Sequence, residues 1–201
     1  MFAKVAEKLT KKLLENNSIS CEQFEICRYG FQQGLTIMLN AFTVIIIGIV
    51  MRELQQAILF MLLYAPLRIN AGGYHARTAI RCYVYSVFLM IAIILAIKYL
   101  CLNEIICIIT FVVSCTIILI LAPVEDKNKP LDDIEQVVYK KRTYIITALE
   151  SIIFLIAIFF RVKKIILCAT LVVLMMSCIL AAGKYKNKFG HKSNNVKYFK
   201  E

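Results

Sequence analysis

Cys82 and His75 are the residues of this chain whose types and spacing can do covalent chemistry. They stand seven positions apart in a polar, basic interval, Arg68-Ile69-Asn70-Ala71-Gly72-Gly73-Tyr74-His75-Ala76-Arg77-Thr78-Ala79-Ile80-Arg81-Cys82, bounded on both sides by apolar runs. A thiol attacks a carbonyl only as the thiolate, and an ordinary cysteine is ionised to only a few per cent at pH 7. A neighbouring base, nearby cations or a helix N-terminus corrects this. The interval offers all three: His75 as base, Arg77 and Arg81 as cations, and a helix expected to begin about Arg77 with its positive dipole end toward Cys82.

The spacing sets a geometric condition. On one unbroken helix, residues seven apart share a face but lie ~10 Å apart along the axis. A nucleophile and its base must approach to ~3 Å. His75 must therefore sit on a non-helical segment that folds back over the first helical turn, or act on the Cys82 of a neighbouring chain. Gly72-Gly73 supplies the backbone freedom for a fold-back. Read from spacing alone, the pair also fits an ordinary loop histidine and a cysteine at the end of a span.

The elements that must position this interval are membrane helices. Of the 201 residues, 60% are hydrophobic and 18% charged, against the ~25% charged usual for soluble domains. The chain is expected to be all-α and polytopic, a single integral membrane domain over residues 1–201. It divides into entry helices over 1–33, membrane helices over 35–182 and a basic, poorly ordered tail over 183–201. Six apolar segments, 35–51, 54–67, 83–100, 105–122, 145–160 and 165–182, read as transmembrane or re-entrant helices. The second is the weakest, with Gln55 and Gln56 at its start and Pro66 near its end. The first 33 residues lack an apolar core run, which argues against a signal peptide.

Net charge is +11, yet the basic residues lie between apolar runs rather than on one soluble face. Topology and anionic headgroups explain them before nucleic acid does. With six spans, nineteen Lys and Arg fall on the side of the termini and of loops 68–82 and 123–144. Four (Arg52, Arg161, Lys163 and Lys164) fall on the other. The positive-inside rule then sets both termini and the His75–Cys82 loop in the cytoplasm of a bacterial cell membrane.

Residues 2–15 read as an amphipathic helix, with Phe2, Val5, Leu9 and Leu13 at helical spacing. It suits either an anionic membrane surface or a solvated helix packed on its own protein. Ser20 with Gln23 is a capping-box start for a helix running through Cys27 and Gly34 into the first apolar run. Ala122-Pro123-Val124 opens a turn carrying Lys127 and Lys129. Glu150, inside the fifth apolar run, either pairs with a basic residue or works in function, since a lone acid is costly in hydrocarbon. Five of the eight cysteines, Cys101, Cys107, Cys115, Cys168 and Cys178, lie in or beside apolar runs. They behave there as small hydrophobes, and no pair has metal-ligand spacing, so neither metal nor cofactor is expected. His191 falls in the tail and reads as inert.

Arg68, the Gly72-Gly73-Tyr74-His75-Ala76 run with Cys82 beyond it, and Ala122-Pro123-Val124 through Lys127-Asn128-Lys129-Pro130 together resemble AgrB, the accessory gene regulator B family of bacterial quorum sensing. The likeness covers most of the chain, and Glu150 is not among the residues that carry it. The resemblance implies a membrane cysteine endopeptidase that processes an AgrD-like precursor of a cyclic autoinducing peptide. Cys82 would be nucleophile and His75 general base. The thioester acyl-enzyme would be resolved by a cysteine or serine of the precursor, giving a thiolactone or lactone. Arg68, Lys127 and Lys129, with Arg77 and Glu150 as further candidates, would bind substrate. The resemblance also implies a homodimer. For the remaining roles the loop offers Asn70 to orient His75, and Gly73 backbone N–H or Arg81 to stabilise an oxyanion. The rival reading is a small peptide exporter or channel without proteolytic activity.

Overall fold

The computed structural model describes residues 2–16, 18–21, 23–73, 79–125 and 132–195. Seven helices make up the described residues: α1 (Phe2–Glu15), α2 (Phe24–Val50), α3 (Leu54–Ala71), α4 (Ala79–Tyr99), α5 (Glu104–Leu121), α6 (Asp133–Phe159) and α7 (Lys163–Asn195). Each of the six apolar runs matches its own helix, four of them ending one residue past it, and the all-α membrane fold stands. Four helices are long and apolar enough to cross a membrane: α2, α5, α6 and the Lys163–Lys188 part of α7. The apolar stretch Tyr83–Tyr99 of α4 is shorter. In α3 the apolar run is diluted by Gln55 and Gln56 at one end and Arg68 and Asn70 at the other.

Helix α1 forms where the periodicity places it. It packs on α2 with Ala6 and Thr10 fully buried, while Glu7 and Lys11 pair at 2.9 Å on its outer surface. At the start of α2 the Gln23 side chain accepts the Ser20 N–H at 3.2 Å. That is the returning half of the expected capping box.

Helix α7 is the centre of the bundle, packing against α3, α4, α5 and α6. About 61% of its apolar stretch is buried, against 28% for α5 and α6. Cys168, Ala169, Thr170 and Ser177 are among its buried residues, and small side chains let helices approach closely where water supplies no driving force. The hydroxyls of Thr170 and Ser177 donate to Ile166 O and Leu174 O, both at 2.8 Å, so they need no partner across the bundle. Helix α5 buries Cys107, Phe111, Ser114, Cys115 and Ile118 along one stripe. Phe111 stacks on Phe154 of α6 with ring centres 3.9 Å apart.

The turns joining α2 to α3 and α6 to α7 lie at one end of the bundle and share one design. Glu53 N–H returns to Gly48 O at 2.8 Å, and Val162 N–H to Ala157 O at 2.9 Å. Between them Arg52 and Arg161 take φ of 57° and 56°. This is the helix stop in which one left-handed residue lets two N–H groups satisfy the last carbonyls. The Lys164–Glu53 ion pair, 3.2 Å, links the two turns. Helix α7 continues to Asn195, through the first part of the tail expected over 183–201. Beyond Gly183 the run is rich in lysine, a good helix former, and contains no proline.

Candidate active site

The candidate site is built at the opposite end, where α3 stops. Gly72 takes φ 71° and Gly73 φ 115°, a region that favours glycine. Gly72 N–H still reaches Arg68 O at 3.3 Å, but the chain then leaves the helix. It is received by the segment that follows α5. Val124 N–H donates to Ala71 O at 2.9 Å and Gly73 N–H donates to Val124 O at 3.1 Å, an isolated parallel bridge between Gly72 and Val124. Two stretches about fifty positions apart, Ala71-Gly72-Gly73 and Ala122-Pro123-Val124, are thus pinned backbone to backbone.

Side chains could not be added here. A Cβ at Gly72 would fall inside the van der Waals shell of Val124 O, and one at Gly73 would lie 2.8 Å from Arg68 Nη1 and from Ile179 Cγ2. The guanidinium of Arg68 donates from Nη1 to Gly72 O. Arg68 therefore caps its own helix and holds the turn, a task besides the substrate contact expected of it. Asn70 turns its amide Nδ2 back to Pro66 O at 2.8 Å, which sets its side chain along α3.

After the glycines, His75 and Arg77 lie outside the described residues, as do Lys127 and Lys129. The description resumes within α4 at Ala79, and the helix start expected near Arg77 lies outside the described residues. Gly72 and Gly73 are not helical, so Gly72 to Cys82 is not one straight helix, while the segment that would fold back lies outside the described residues. Of Cys82 the structure describes the backbone, in the first turn of α4. The dipole at a helix start favours an anion such as a thiolate. Arg81, beside it, is exposed.

Helix α7 completes the wall. Ile179 lies against Gly73, and the Asn187 amide donates to Glu125 O at 2.7 Å. Sequence reasoning gave Val124, Ile179 and Asn187 no role. The signal available was the Pro123 break directly after α5, which frees backbone groups for a distant partner. Glu150 stands apart from this cluster. It is buried in α6, 4% exposed, and Cys115 of α5 and Cys168 of α7 lie within reach of its charge.

Fold and site together define a polytopic α-helical membrane protein with a glycine turn clamped at one end of its bundle. A family model described as AgrB, Accessory gene regulator B, matches residues 4–180. The chain belongs to that family. It is 28% identical over 134 residues to AgrB-like protein 2 of Clostridium perfringens strain 13. It is 29% identical over 134 residues to an AgrB-like protein of Clostridium perfringens strain SM101. Each alignment covers 63% of this chain and 61% of the relative, so the chain matches about three-fifths of the length of each. No solved structure matches the chain.

Proposed function

We propose that the protein is a membrane cysteine endopeptidase that cleaves an AgrD-like precursor and passes its signal segment on to a cyclic product. The observation that carries this reading is the Gly72–Val124 bridge. It fixes the backbone up to Gly73, two residues before His75, while Cys82 lies in the helix that follows.

In the proposed reaction His75 takes the proton of the Cys82 thiol. The thiolate sulfur bonds to the carbonyl carbon at the C-terminal end of the signal segment, and the C–N bond breaks. The proton passes from His75 to the departing amine, which leaves with the precursor's C-terminal tail. The thioester is then attacked by a cysteine thiol or serine hydroxyl of the same precursor, the acyl group moves to it, and the Cys82 thiol is restored. Exclusion of water at the membrane surface favours ring closure over hydrolysis. Backbone N–H of Gly73 is committed to Val124 O, so the oxyanion donors are sought in the first turn of α4 and at Arg81. Arg68 holds the turn, and Arg77, Lys127 and Lys129 attract an acidic tail. The site faces the cytoplasm, where an unprocessed precursor is made, and the protein works as a homodimer in an anionic bilayer.

Co-expression of the full chain with its precursor tests this. Cys82→Ala and His75→Ala should each abolish release of the C-terminal tail at unchanged protein level, and with wild type hydroxylamine should intercept the thioester, freeing the Cys82 thiol and releasing the signal segment as a hydroxamate. Normal processing by Cys82→Ala would remove the peptidase reading and leave the exporter.

A further inference from the structure

Glu150 lies near mid-depth of the apolar part of α6, seven residues after Thr143 and nine before Phe159. It is 4% exposed, Thr147 one turn earlier is 3% exposed, and both carboxylate oxygens and the Thr147 hydroxyl lack a hydrogen-bond partner. Thr143 and Ser151 on the same helix donate to Tyr139 O at 2.9 Å and Thr147 O at 2.8 Å. The unmet demand is therefore local to three oxygens.

Among the described residues, the stretches packed around them carry no compensating charge. Helix α6 packs on α3, α5 and α7. Their stretches Leu54–Leu67, Ile105–Leu121 and Ile165–Gly183 contain no Lys, Arg, His, Asp or Glu. The titratable groups within reach are the thiols of Cys115 and Cys168. The first cation along α6 itself is Arg142, eight residues or ~12 Å away on the helix. An isolated carboxylate in such surroundings is too costly to persist, so its charge must be cancelled within the pocket.

We propose that Glu150 and Thr147 form a membrane-embedded binding site for a small monovalent cation, a proton or Na⁺. The donor set selects this class. Carboxylate and hydroxyl oxygens suit hard cations, and among the described residues no three His, Cys, Asp or Glu side chains converge as a transition-metal site would need. With a proton, the carboxylic acid O–H donates to Thr147 Oγ1. With Na⁺, both residues ligate it. Na⁺ would serve all three oxygens, whereas a proton cancels the charge and gives the pair one hydrogen bond; the site is independent of the thiol chemistry at the glycine turn.

Full-length protein in lipid nanodiscs tests the proposal by two readouts. Infrared difference spectra at neutral pH report the carbonyl stretch of a protonated carboxylic acid. Thermal unfolding in NaCl, KCl and choline chloride at equal ionic strength reports cation binding. A carbonyl band present in wild type and absent in Glu150→Gln supports the site with a proton. A higher midpoint in NaCl than in choline chloride, lost in Glu150→Gln and reduced in Thr147→Val, supports it with Na⁺. Should Glu150→Gln not fold, Glu150→Asp must shift the band or weaken the Na⁺ effect. No acid band and no cation-specific midpoint in wild type overturns the proposal. So does either signal surviving unchanged in both Glu150 variants.

Discussion

Among the described residues the chain adopts left-handed φ at four positions, an arginine pair at one end of the bundle and a glycine pair at the other. Arg52 and Arg161 are exposed, each closing a helix with the same pair of returning N–H bonds. Gly72 and Gly73 are crowded by Val124 O, Arg68 Nη1 and Ile179 Cγ2. A positive φ thus serves two purposes. At the arginine end it only reverses the chain, so a side chain is tolerated at about 1 kcal/mol of strain per residue. At the glycine end another backbone and a guanidinium occupy the space a Cβ would need.

The sharpest way to break this comparison is to give the glycine end a side chain. Gly72→Ala must displace Val124 as well as adopt an unfavourable φ, so it should lose more than ~2 kcal/mol of stability and all detectable precursor cleavage. Thermal unfolding and tail release measure the two. If Gly72→Ala cleaves normally, the bridge does not position the site. Arg68→Ala should come next, with cleavage down roughly 10- to 100-fold as the turn loses its hold. Cys82 should remain open to a thiol reagent in that variant, which separates a misplaced segment from a collapsed one. Breaking the Lys164–Glu53 pair by Lys164→Ala should cost at most ~1 kcal/mol, because Lys164 is largely exposed. The smallest effect has the opposite sign. Arg52→Gly and Arg161→Gly should each raise stability by up to ~1 kcal/mol and leave cleavage untouched.

The apolar runs made the helices legible, because a membrane leaves the backbone little choice but to bond within itself. The start of α6 was not. Lys140-Lys141-Arg142 reads as a headgroup anchor, yet the helix begins at Asp133, where Asp132 N–H reaches the Glu135 carboxylate at 3.4 Å. Ile134, Val137 and Val138 are exposed there, so no buried stripe announces the extension. At the site, Cys82 and the glycine break were readable from residue type alone. The bridge was not, since Val124 acts through backbone atoms that every residue has. Glu150 was legible as an anomaly, and its lack of a partner emerged only from the packing around it.

Helix α7 binds these two ends mechanically. Its 33 residues span about 50 Å, well beyond a hydrocarbon core of ~30 Å. At one end Lys164 grips Glu53, and at the other Asn187 grips Glu125, next to the residue that receives the glycine turn. One strut has one tilt. A thinner bilayer that leans α7 must move the glycine end with it, so cleavage in vesicles of graded acyl length should vary with thickness, and less so in Asn187→Ala. The membrane is then a load on the proposed peptidase, not merely its solvent.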